Sequence, residues 1–407
     1  MKIVHLACAI LVISATRADV QDDSVANAIN EFGLKFLAET SSKLPEGTNL
    51  AISPYTVWTA MSIVNEGSRG NTAAQLERTL SIPAGNSTDR QAFRKLQQNI
   101  IRNIAQKTEG VTLDVLNSMF TRLEAKLNQD YVQLVRDVYD VQVEPLDFNK
   151  AAAAAARINH VISEATRGRI SNVVDEESVL DAYMFITSAL FFKGLWDKKF
   201  DKDLTKPEPF YDEHKRKIGD VDMMHNSGAF PFGPILNGKG LAIELPYLGG
   251  KLSMMIVLPA RDESLSSLLR SISETPIARV MDYLKRSKEK FHDSKTYVKL
   301  PKFKISSSLL LADSLRNMGI VDAFDSRSAN LSGISTVELY VSKVLHKTEI
   351  DVDEDGTTGS SVTVVDITEK SKAPTFAADR PFAFFVVDKE SRLVIFLGTV
   401  YNPNAST

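Results

Sequence analysis

A chain of 407 residues with 43% hydrophobic and 24% charged residues has the make-up of a globular protein long enough to bury a large core. Forty-eight Lys and Arg against 51 Asp and Glu leave a net charge of -3, which offers no broad basic field and argues against nucleic acid as a partner. No Pro/Gly/Ser-rich linker, single-sign charge run or internal repeat divides the sequence, so one large domain is expected over residues 19–407.

At the N-terminus Lys2 precedes an apolar run from Ile3 to Ile13, with Ala15 and Ala18 behind it. That is the pattern of a secretory signal over residues 1–18, and the run is too short to span a bilayer. Its removal would also remove Cys8, the one cysteine, so a secreted, extracellular product would hold no disulfide of its own. Sequons at Asn86, Asn330 and Asn404 suit the same route. A soluble monomer with no membrane segment is expected.

Val25, Ile29, Phe32 and Phe36 recur at helical spacing, and Ser53-Pro54 opens a second helix after the break at PEGTN. Residues 88–106 and 128–139 keep the helical period, and Ala151 to Ala156 lead into a helix whose end suits Gly168. The texture then changes. Residues 182–194, 241–259 and 295–305 are apolar, β-rich runs bounded by Gly or Pro, and Gly249-Gly250 marks a hairpin. Residues 309–320 read as a helix, 337–350 as an alternating strand, and 381–403 as closing strands. Helices early and strands late describe an α+β protein with largely antiparallel sheets.

The stretch DVDEDGTTGSSV opens like a calcium loop, with Asp351, Asp353 and Asp355 at alternate positions and Gly356 at the turn. Its twelfth position is Val362 where a bidentate Glu is needed, and a strand leads into it where a helix should, so no metal site is assigned. The six histidines, His5, His160, His214, His225, His292 and His346, form no metal-ligand spacing, and no nucleophile elbow or phosphate loop is present. No catalytic residue and no cofactor are assigned. His346, midway along an apolar strand, reads as a hydrogen-bonded core histidine.

In order, NLAISPYTVWTAMSIV, FFKGLW, ELPY, MMIVLP, VKLPKFKI, LRNMGIVDAF, VLHKTEIDVDEDGTTG and ADRPFAFFV resemble the serpin family over nearly all of residues 19–407. The resemblance implies helices packed around three largely antiparallel sheets, with an exposed reactive-centre loop over about 354–380, and an inhibitor in place of an enzyme. It makes Glu354, Asp355, Gly356, Thr357, Thr358, Gly359, Ser360 and Ser361 the hinge at which this loop leaves a central strand. On that reading the acids cap a hinge and bind nothing. Family spacing from the hinge and from Pro381 puts the scissile bond at Lys370-Ser371, with Lys372 as a shifted alternative.

A lysine at that bond suits a secreted trypsin-like serine protease, which would be held in a covalent complex when the cleaved loop enters the central sheet. Thr357, Gly359, Ser361, Thr363, Val365 and Ile367 would share the inward face, and none carries a charge that would have to be buried. The resemblance also gives Ser53, Thr56, Ser188, His346 and Trp196 to the region through which the sheet opens, with Ser188 where the family commonly has asparagine. The run from Thr358 to Ser361 is poorer in strand propensity than the alanine-rich hinge usual in inhibitory members. That favours the alternative, a non-inhibitory carrier or storage protein whose loop is merely cut. Arg94, Lys95, Arg102 and Lys107 lie where polyanion-binding members gather basic residues, but Glu109 and the scattered spacing favour a solvated helix face. The ending YNPNAST carries no endoplasmic-reticulum retrieval signal.

Overall fold

A computed structural model describes residues 25–83, 87–290, 295–356 and 373–405. The signal at 1–18 with Cys8, the sequon residue Asn86, His292, hinge residues Thr357, Thr358, Gly359, Ser360 and Ser361, the inward-facing Thr363, Val365 and Ile367, and Lys370, Ser371 and Lys372 lie outside these residues.

Helix α1, over 25–41, buries Val25, Ile29, Phe32 and Phe36 on one face, as their spacing requires. After β1 (Leu50–Ile52), helix α2 (Pro54–Gly67) starts with the Ser53 hydroxyl accepting from the Thr56 amide and proline at its first turn. All but one of its residues are buried, so α2 runs through the core. Then come α3 (Gly70–Leu80), α4 (Ser87–Ala105), β2 (Val111–Arg122), α5 (Gln129–Tyr139), β3 (Gln142–Leu146), α6 (Ala151–Ala165), α7 (Glu176–Val179) and β4 (Met184–Gly194). Strands β5 (Lys206–Tyr211), β6 (Lys217–Gly228), β7 (Phe232–Ile235), β8 (Gly240–Pro246) and β9 (Leu252–Pro259) precede α8 (Leu265–Ser273) and α9 (Ile277–Lys290). The chain continues with β10 (Thr296–Pro301), β11 (Phe303–Leu310), α10 (Ala312–Asn317), β12 (Lys343–Val352), β13 (Thr375–Ala377), β14 (Phe382–Asp388) and β15 (Val394–Val400).

Three sheets result, in the orders β1-β15-β14-β9-β8-β7, β13-β10-β6-β5 and β11-β12-β4-β2-β3. Most pairs are antiparallel; β12 with β4, β2 with β3 and β10 with β13 are parallel. The main core contains α1, α2 and the six-stranded sheet. A second core fills the space between α6 and the outer face of the five-stranded sheet, where Ile158 and Ile162 meet Phe120, Phe185, Phe191 and Leu345.

Several sequence expectations shift. Leu309 and Leu310 pair with His346 and Leu345 as the end of β11, so the helix expected from 309 is confined to Ala312–Asn317. Ladder bonding here overrides the helical period. The run 295–305 breaks at Lys302 into strands of two different sheets, and the strand expected from 337 begins only at Lys343. Strand β2 inside the helical third, and helices α8 and α9, were not expected. Gly249 and Gly250 do form the β8–β9 turn, with φ of 82° and 68° that favour glycine.

Candidate functional site

Two inner strands of the five-stranded sheet meet at a seam where β12 and β4 pair directly, through eight register partners from Lys343 with Phe185 to Ile350 with Phe192. Behind the seam, α2 presents its first turn. The Ser53 amide donates to His346 Nε2 at 3.0 Å, which makes that nitrogen the acceptor and puts the ring proton on Nδ1. Nδ1 faces both the carbonyl and the hydroxyl oxygen of Ser188 at 3.2 Å. The Ser188 hydroxyl donates to Thr56 Oγ1 at 2.7 Å, and the Thr56 hydroxyl donates to the Ser53 carbonyl at 3.3 Å. The hydrogen bonds thus close a ring through α2, β4 and β12. His346 has no exposed surface, and burial pushes its pKa down to about 3 against a partly offsetting bond to the Ser188 backbone.

At the end of β12 the chain is pressed against the end of β4. The Trp196 amide donates to the Asp355 carbonyl at 3.2 Å and the Phe200 amide to the Glu354 carbonyl at 2.9 Å. Trp196 Nε1 donates to the Asp353 carbonyl at 2.9 Å, while its ring stacks on Tyr247 at 4.6 Å and meets the edge of Phe200. Gly356 then turns the chain with φ of 72°, so close to β4 that a Cβ there would lie 2.3 Å from the Gly194 carbonyl oxygen. Only glycine fits that approach.

Glu354 and Asp355 of this segment are ion-paired within the chain. Asp355 is ion-paired with Lys202 and lies 3.7 Å from Lys199, and Glu354 meets Lys302 at 3.1 Å. They tie the root of the loop to the 199–202 turn and to the link between β10 and β11. Burial raises the Glu354 pKa, but its own backbone amide and Lys302 outweigh that and hold it below the ordinary value. Asp353 moves the other way, raised by burial and by the neighbouring carboxylates of Asp351, Asp355 and Glu354.

The family model described as Serpin (serine protease inhibitor) matches residues 27–403. The chain is a serpin. Members of this family are mostly protease inhibitors and not catalysts. This serpin is 32% identical to an uncharacterised serpin-like protein of Methanosarcina acetivorans, over 93% of this chain and 88% of that one. It is 31% identical to leukocyte elastase inhibitor A of Rattus norvegicus, over 94% of this chain and the whole of that one. The solved structure of mouse protein-Z dependent protease inhibitor superposes with a TM-score of 0.81 at 25% identity, covering 95% of this serpin and 99% of that chain.

The structure brings Ser53, Thr56, Ser188 and His346 into one cluster, and places Trp196 at the loop root with Glu354, Asp355 and Gly356. The serpin's two described sequon residues are exposed: Asn330 accepts from the Ser332 hydroxyl at 2.8 Å, and the Asn404 amide donates to the Asp220 carbonyl at 2.9 Å. Among the basic residues of α4, Arg94 is committed to Glu66 through two bonds of 2.6 and 3.0 Å. Sequence reasoning missed Lys199, Lys202, Lys302 and Tyr247. An isolated surface lysine carries no local signal; the excess of acids in 351–355, which needs cations nearby, was the available clue.

Proposed function

We propose that this serpin is a secreted, monomeric suicide inhibitor of trypsin-like serine proteases, with Lys370-Ser371 as its reactive bond. The observation that carries the reading is the seam. Its two parallel strands are paired directly, while the chain leaves β12 at Gly356 and returns at β13 in another sheet. What lies behind the seam is a ring of small polar groups and one neutral imidazole, and their hydrogen bonds can be exchanged without tearing an apolar core. Thr357, Gly359, Ser361, Thr363, Val365 and Ile367 give an entering strand an uncharged face. At ~3.3 Å per residue, about fourteen inserted residues span ~46 Å.

The chemistry is acyl transfer that stops half-way. The protease serine attacks the Lys370 carbonyl, the amide to Ser371 breaks, and the Ser371 amine leaves with the protease's proton. The ester at Lys370 then travels with the inserting strand, and distortion of the protease site prevents water from releasing it. Ser53, Thr56, Ser188, His346 and Trp196 govern opening in this scheme. The apolar run after Lys2 supports secretion.

Mixing the protein with a trypsin-like protease and resolving the products under denaturing conditions tests the reading. A covalent adduct and a released peptide beginning at Ser371 are expected, and Lys370→Ala should greatly reduce the adduct. A peptide beginning at Ala373 would move the bait to Lys372. Clean cleavage with no adduct, across several such proteases, would establish instead the carrier or storage reading that the Thr358–Ser361 run favours.

A further inference from the structure

A cavity of about 280 Å³ lies between the end of α4 and the first residues of β2. Strand β3 joins β2 only from Ser118 onward, so among the described residues the stretch Val111–Asn117 has β4 on one side and no strand on the other. The cavity occupies that open edge. One part of its wall is apolar, with Ile104, Val111 and Leu113 left half-buried against the buried Leu252 and Ile395. Its polar lining comprises the uncharged Gln106, Thr108 and Thr112 and, among charged groups, three cations, Lys107, Arg167 and Lys251, with one carboxylate, Asp388.

That carboxylate is already committed. Asp388 accepts from the Glu390 and Ser391 amides at 3.1 and 2.9 Å and from the Ser391 hydroxyl at 3.0 Å, with Lys251 3.9 Å away. Lys251 also donates to the Asn103 carbonyl at the end of α4. Arg167 shares Asp114 with Arg169, at 3.0 and 2.9 Å, and remains 66% exposed with donors to spare. Lys107 is exposed and has no ion pair among the described residues. The lining therefore holds more positive charge than its acids neutralise, beside the apolar side chains of Ile104, Val111 and Leu113.

We infer that this cavity is a binding site for a small amphipathic anion, a medium-chain carboxylate whose tail lies on Ile104, Val111 and Leu113 and whose head meets Lys107 and Arg167. A volume near the small end of ligand pockets fits a chain of about ten carbons. The site communicates with the loop root by a short path. The Gly110 carbonyl accepts from the Leu195 amide at 2.7 Å, Val111 pairs with Gly194, and the next residue, Trp196, holds Asp355. Ordering the 108–113 segment thus restrains the strand end against which Gly356 packs. An effect on protease handling rests on the proposed function; binding itself does not.

Calorimetric titration of the intact protein with sodium decanoate tests the site without any protease. One saturable site is expected, weakened at least tenfold in Lys107→Glu and in Ile104→Asp, and unchanged in Lys285→Glu on α9. Sodium sulfate and 1-decanol should bind at least tenfold more weakly, because each lacks half of the recognition. Saturation should also change the emission of Trp196, read in a Trp58→Phe background. The absence of a saturable site would overturn the inference, as would sulfate binding equally well or affinity that survives both cavity variants. Saturable binding with no change in Trp196 emission would overturn the path to the loop root.

Discussion

Replacing Gly356 with alanine should destabilise the intact protein by about 3 kcal/mol. A non-glycine residue in the left-handed region costs about 1 kcal/mol. The added Cβ meets backbone atoms, 2.3 Å from the Gly194 oxygen and 2.4 Å from the Trp196 nitrogen, which cannot rotate away as a side chain could. Relief requires the loop root to lift, which gives up the bond from the Trp196 amide to the Asp355 carbonyl, a further ~1 kcal/mol, and residual crowding adds about as much again. Gly168 is the control within the same molecule, with φ of 77° and nothing within 4 Å of its absent Cβ. Gly168→Ala should cost only the ~1 kcal/mol of backbone strain. Urea unfolding of the three intact proteins measures both numbers. If the loop inserts after cleavage, residue 356 becomes part of an extended strand that alanine suits better than glycine, so the cleaved variant should be at least as stable as the cleaved parent. Equal destabilisation by Gly356→Ala and Gly168→Ala in the intact form would refute the close-approach argument.

His346 has a folded pKa of about 3 against an ordinary 6.5, so the unfolded chain binds its proton first and stability falls as pH drops from 6.5 towards 3. At pH 5 the loss is about 2 kcal/mol relative to pH 7, and pH-dependent urea titrations should show this part of the slope vanish in His346→Gln. Lys302→Ala leaves the buried Glu354 carboxylate without its cation and should cost about 1 kcal/mol at pH 7, the pair being partly solvated. Because the Glu354 pKa is held low, that cost should shrink as pH falls below about 4, and a pH-independent effect would point to lost packing instead. Thr357→Arg should be cleaved at the normal rate yet form no adduct, since an inserting guanidinium would be buried without a partner; unchanged inhibition stoichiometry would show that no insertion occurs.

What could be read from the sequence follows from how local each signal is. The Ser53-Pro54 start, the Gly249-Gly250 turn and the end of α6 near Gly168 depend on a few adjacent residues, and all three stand in the structure. The 309–310 segment was misread because Leu309 and Leu310 satisfy a helical period as well as a strand, and only their partners in β12 decide between the two. Strand β2 was missed for the same reason: its burial alternates only weakly, because it lies between a core and the packed α6. At the candidate site, Ser53, Thr56, His346 and Trp196 lie in quoted motifs and Ser188 does not, and the contacts that join Ser53, Thr56, Ser188 and His346 across three elements carry no local signal. The lysines that hold Glu354 and Asp355 come from stretches 52 to 156 residues away in sequence, and a partner at such a distance leaves no periodicity to read.

The position of β15 between β1 and β14 governs how the molecule can be made. Leu50 pairs with Thr399 and Ile52 with Leu397, so one of the first strands translated has its neighbour among the last. Asn49 and Asn402 close the same join, 353 residues apart. During synthesis the six-stranded sheet therefore stays incomplete, with β1 and one edge of β9 unsatisfied, until the final strands leave the ribosome. Folding is post-translational and slow by the measure of sequence separation. A chain stopped after β13 should expose those apolar edges and be taken up by chaperones or degraded, even though it already contains both strands of the seam and the whole reactive-loop segment.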